Sequence, residues 1–106
     1  FAKGTPARLA GKEVPSWPDN EATFADLKAR IAKTVAFAKS FSAADIDGSE
    51  ERDVSLKWGP QTLSFKGQPY LVHFALPNFY FHAGMAYAIL RHNGLDVGKG
   101  DFIGSV

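Results

Sequence analysis

The chain has no cysteine, which excludes disulfides, a thiolate metal centre and a thiol nucleophile. It has no apolar run approaching the roughly 18 residues that a membrane-spanning helix needs, so no membrane partner is expected. It also lacks a charge excess. Twelve Lys and Arg stand against eleven Asp and Glu, a net charge of +1 with the signs interspersed. That gives no electrostatic case for binding nucleic acid or an anionic membrane surface. No signal-peptide pattern, internal repeat or low-complexity segment is present, and a cytoplasmic location is expected. There is no Gly-x-Ser-x-Gly elbow. The glycines around Gly98 and Gly100 follow no predicted strand and open no helix, so they are not a phosphate loop. Asp45, Asp47, Glu50 and Glu51 lack the spacing of a calcium-binding EF-hand loop.

What is present is globular. Hydrophobic residues make up 45% and aromatics 13% of the 106 residues, enough for one domain spanning 1–106. The organising stretch is Gly67 to Gly94, GQPYLVHFALPNFYFHAGMAYAILRHNG, which holds all three histidines. Gln68-Pro69 marks a helix start and Asn93-Gly94 a stop. Pro77 between them predicts a kink near Leu76 or two abutting helices. At about 100° per residue, one stripe carries Leu71, Ala75, Asn78, His82, Met85 and Ile89. Tyr70, Leu76, Phe79, Tyr80 and Phe81 fall elsewhere. A helix apolar nearly all round is expected to be buried by neighbours or by a partner chain.

The rest of the chain supports a mainly α fold. FAKGTPARLA reads as the last turns of a helix stopped by Gly11. A chain that opens on Phe1 inside a helix implies a missing preceding segment, and with it an uncovered apolar face. Residues 12–22 form a loop pinned by Val14 and Trp17. Thr23 to Ser40 is an amphipathic helix whose stripe is Phe24, Leu27, Ile31, Val35 and Ala38. Thr23 and Asp26 suit a capping box, and Lys28, Arg30, Lys33 and Lys39 suit a solvated face. Ser42 to Gly48 is one helical turn. Val54, Leu56 and Trp58, then Leu63 and Phe65, alternate around Gly59-Pro60 as a β-hairpin. A lone hairpin is marginal in water, so its apolar face is expected to lie on the helices. Leu95, Val97, Phe102 and Ile103 pack an irregular tail.

Candidate chemistry rests on the histidines. His92 sits in a last turn, where positive charge suits the helix dipole. His73 falls on the opposite side of the helix from His82. Asn78 and His82 stand four apart on one face, and as buried polar groups each needs a partner. Asn78, His82 and Met85 are therefore the candidate pocket-lining residues, and His82 the candidate metal ligand.

The strings LVHFALPNFYFHAGMAYAILRHNG, FAKGTPARLAGKEVP and ATFADLKARIAKT together resemble a bacterial family of unknown function within the DinB/YfiT-like superfamily. The resemblance covers nearly the whole chain. It implies an up-and-down four-helix bundle with a hairpin before the last long helix, and a first helix that this chain lacks. Superfamily members with the full motif bind a divalent metal through three histidines, two of them in a His-x-x-x-His pair on the last helix, and some transfer low-molecular-weight thiols. Here Asn78 replaces the first histidine of the pair and His82 is the second. Ala83 and Met85 stand where the signature has arginine and glutamine, and the third histidine would lie upstream of Phe1. The expectation is thus a DinB-like bundle without an intact metal site and with no cofactor. It would act as a small-ligand binder or a homodimeric scaffold. The alternative is a degenerate transferase or hydrolase that holds Zn or Ni through His82.

Overall fold

The computed structural model describes residues 1–104; Ser105 and Val106, the end of the expected domain, lie outside the described residues. Six helices and one hairpin follow in the order α1 (Gly4–Leu9), α2 (Phe24–Lys39), α3 (Ala43–Ile46), β1 (Asp53–Trp58), β2 (Gln61–Lys66), α4 (Gly67–Pro69), α5 (Leu76–His92) and α6 (Lys99–Ile103). A π-helical segment, Tyr70–Ala75, joins α4 to α5. The fold is mainly helical, as expected.

Local signals account for most boundaries. Thr23 Oγ1 accepts from the Asp26 amide at 3.1 Å, and Asp26 Oδ2 accepts from the Thr23 amide at 2.9 Å. That reciprocal box starts α2. Ser42 and Asp45 open α3 in the same way, with the Ser42 amide 2.8 Å from Asp45 Oδ2. Gly11, Gly48 and Gly94 end their helices at positive φ. In the hairpin Val54 pairs with Phe65 and Leu56 with Leu63, and Ser55 with Ser64 on the other face. Gly59, at φ +58°, takes the first place of its two-residue turn, the geometry that matches strand twist.

The hairpin lies against the start of the long helix. Leu9, Val54, Tyr70 and Ala75 form the core, with Ile46, Leu56, Phe65, Leu71 and Phe74 packed around it. Phe74 is the hub of an aromatic cluster, its ring 5.6 Å from Trp58, 5.2 Å from Phe65 and 5.9 Å from Tyr70. Gly67 makes the close approach that starts the helix. A Cβ there would run into the Ser49 carbonyl, and next to it the Gln68 amide donates to Glu50 O at 3.0 Å.

Where Pro77 predicted a kink or two abutting helices, a π segment precedes α5, and in it the Leu76 amide reaches back five residues to Leu71 O. A segment wound this way changes which residues share a face. Tyr70 and Ala75, five apart, are both buried, and Tyr70 is the most enclosed large side chain at 1% exposure. Regular winding placed Tyr70 off the buried stripe, and the π turn brings it on. The same reading expected His82, Met85 and Ile89 to be buried, yet all three are exposed. The hairpin covers the rod only as far as Ala75, and no described residue beyond Ala75 on α5 is buried. α2 likewise buries none of its residues; Phe24 is 84% and Ile31 63% exposed.

The tail also differs from expectation. The chain re-enters a helix at α6, started by the Gly98 amide donating to Asp101 Oδ2 at 2.8 Å. The Tyr87 hydroxyl donates to Gly98 O, and the Phe102 ring packs edge-on to Tyr87 at 5.1 Å. Tyr87 therefore holds the tail, whereas Tyr80 and Phe81 remain exposed.

Candidate functional site

Asn78, His82 and Met85 all lie on α5, but the structure gives them different surroundings. Asn78 is half-buried, and its Nδ2 donates to Phe74 O at 2.8 Å. Pro77 has no N–H to give to the carbonyl one turn back, His73 O; the Asn78 side chain bonds the neighbouring carbonyl, that of Phe74. The side chain is thereby turned back onto its own helix. His82 is exposed and stacks on Phe1, with ring centroids 5.2 Å apart and planes 24° from parallel. The Phe1 ring also reaches Phe74 at 6.3 Å, which extends the aromatic cluster to His82. Met85 is 48% exposed. His73, in the π segment, and His92, in the last turn of α5, are both exposed.

A three-ligand metal site needs donors within about 2.0–2.2 Å of one point. Among the described residues no three His, Cys, Asp or Glu side chains are grouped so. Asn78 is a poor transition-metal donor, and its amide nitrogen is engaged with Phe74 O. The described residues do not by themselves supply three such donors.

Two concavities bear on binding. The first is an apolar groove of about 360 Å³ between α2 and α5, lined by Ala2, Ile31, Thr34, Val35, Ala38 and Phe79, with Arg30 at its edge. It shares helix α5 with the Asn78–His82–Met85 stripe. The second, of about 320 Å³, lies where the 12–22 loop meets α2, and Trp17, Glu21, Arg30 and Lys33 line it. Its charges are largely spent on holding the loop. Arg30 bonds Asp19 at 2.7 Å, Glu21 at 2.8 Å and Pro18 O at 2.8 Å. Lys33 Nζ lies 4.3 Å and Lys3 Nζ 4.4 Å from the centre of the Trp17 ring. Trp17 pins the loop as expected, and Arg30, expected on a solvated face, is an internal anchor of it.

A family model described as a domain of unknown function (DUF1993) matches residues 1–103. The chain belongs to DUF1993. The crystal structure of a DinB family member from Shewanella denitrificans is similar to it, at 38% identity and a TM-score of 0.86. The match takes in 98% of this chain and 59% of the Shewanella chain. This DUF1993 chain thus spans less than two thirds of that relative, and it is a member of the DinB-like superfamily. A search among curated proteins finds no match for it.

The apolar groove was not visible in the sequence as a site feature. The groove arises from two helices distant in the chain.

Proposed function

We infer that this DUF1993 chain is the greater part of a DinB-like four-helix bundle that serves binding and assembly. The accessible surface carries this reading. A compact monomer of 11.5 kDa exposes about 5,800 Å², and this chain exposes 7843 Å². The excess, on the order of 2,000 Å², is the size of an obligate interface. It includes the apolar stripe of α2 and the C-terminal half of α5. The radius of gyration, 15.7 Å against about 13 Å for a compact chain of this length, agrees.

The covering elements are further helices of the full-length polypeptide, the first helix of the bundle among them. Closing them over α2 and α5 turns the groove into an enclosed apolar pocket, with Asn78, His82 and Met85 continuing its wall along α5. Such a pocket suits a small, mostly apolar molecule with one or two polar groups. The exposed Tyr80 and Phe81 suit a second copy of the protein. His82 then acts through stacking and hydrogen bonding, with no resident metal.

Native mass spectrometry of the full-length protein, with elemental analysis beside it, tests this. The expected result is a dimer, or a monomer carrying a small organic molecule, free of metal. Near-stoichiometric zinc or nickel in the natural protein that disappears in His82→Ala would overturn the reading in favour of a metal-dependent transferase or hydrolase.

A further inference from the structure

Three of the basic side chains among the described residues are half-buried: Lys3, Arg8 and Arg30. Two are fully accounted for. Arg30 has two carboxylates, and Lys3 has the Pro15 carbonyl at 2.6 Å and the face of Trp17. Arg8 has neither. Its one hydrogen bond runs from Nη1 to the Tyr70 hydroxyl at 3.3 Å, and among the described residues no carboxylate lies at salt-bridge distance. A guanidinium offers five N–H donors in a rigid fork. With one long bond to a neutral phenol, the remaining donors of the fork keep contact with water, since among the described residues no side-chain nitrogen is both enclosed and unpartnered.

The position of the fork is nevertheless fixed. Gly4 lies one helical turn before Arg8, and a Cβ at Gly4 would collide with Arg8 Nη1. The absent side chain is what lets the guanidinium fold back over α1. On its other side Tyr70 is held by Phe74 and Phe65, at 5.9 and 6.0 Å. A guanidinium held in place on one edge, with its other donors facing water and no carboxylate beside it, is pre-organised for an anion.

We propose that Arg8 is an oxyanion-recognition residue, taking a carboxylate or phosphate oxygen on the edge of the guanidinium that Tyr70 leaves free. Tyr70 and Gly4 are positioning residues for it. The oxyanion comes from a free small molecule or from an acidic side chain elsewhere in the full-length polypeptide. The chemistry is the same in both cases, and it is independent of the groove between α2 and α5.

The test uses full-length protein as wild type, Arg8→Gln, Tyr70→Phe and the double variant. Thermal midpoints are recorded with benzoate or inorganic phosphate and with chloride at matched ionic strength. A free oxyanion raises the wild-type midpoint by roughly 2 °C or more over chloride, and Arg8→Gln abolishes the rise. A carboxylate of the protein itself gives no rise, but Arg8→Gln still lowers the midpoint when Tyr70 is already Phe. Either result supports the proposal. No anion response, together with no effect of Arg8→Gln in the Tyr70→Phe background, overturns it, because Arg8 then does nothing beyond bonding the phenol. Should Arg8→Gln not fold, Arg8→Lys, which keeps the charge and loses the fork, is read in the same two backgrounds.

Discussion

At the scale of single residues, two aspartates three positions after a hydroxyl residue do similar work. Asp26 and Asp45 each accept from the backbone amide and the hydroxyl of their N-cap residue. Asp45 also receives Lys12 Nζ at 2.8 Å. The Lys12 bond first, then those from Ser42, hold the Asp45 carboxyl well below the usual carboxylate range. For Asp26 the Thr23 hydroxyl is the largest cause of a shift in the same direction. A carboxylate whose folded pKa is depressed stabilises the fold above its unfolded value near 4, and that contribution is lost as the pH falls toward the folded value. Asp45→Asn should therefore melt below the wild type at pH 7, with the gap closing as the pH is taken from about 4 toward 2. Thermal midpoints of both proteins across that range are the check. A gap that stays constant with pH would mean that the carboxylate charge plays no part.

At the scale of elements, the sequence was most legible where structure is locally determined. The capping box at Thr23, the turn at Gly59-Pro60, the alternation in both strands and the stop at Gly94 all depend on neighbouring residues, and each is where the pattern put it. The long helix was legible as a helix but not in its phase. Pro77 announced a disturbance, and nothing in a 3.6-residue period says that it would be absorbed by π winding several residues earlier. That shift moved Tyr70 into the core and left the assumed face of His82 unsupported. Asn78 bonds a carbonyl of that π segment, Phe74 O. If its task is to supply a donor to Phe74 O, Asn78→Ala should cost about 1 kcal/mol in urea denaturation. Asn78→Asp should cost more at neutral pH, where a carboxylate would face a carbonyl oxygen. Part of that loss should return in acid, where the protonated form can donate. An Asn78→Ala variant as stable as the wild type would refute the structural role and return Asn78 to the pocket as a free polar group.

At the scale of the whole molecule, what remained illegible is what a helix packs against. The stripe Phe24, Leu27, Ile31, Val35 was read correctly as one face of α2, yet amphipathicity says only that something apolar should meet it. In this chain Leu27 is 48% and Val35 44% exposed, and the core that does form is confined to α1, the hairpin and the rod before α5. The candidate site shares this fate, since Asn78, His82 and Met85 lie on the half of the rod that the hairpin does not reach. Packing in the full-length protein decides whether those two faces are interior, and a charge placed in the groove reports on it directly. Ile31→Asp in the full-length protein should cost about 2–4 kcal/mol, from lost apolar burial and an unpaired carboxylate taken out of water. Ala36→Asp, an exposed position about 100° from the stripe and one turn from Lys33 and Lys39, should stay within about 1 kcal/mol of the wild type. Urea midpoints for the pair give the answer. Equal and small losses would show that the α2 face stands open to water in the native protein. The surface excess would then need a second copy of the chain, and the groove would be an interface instead of a pocket.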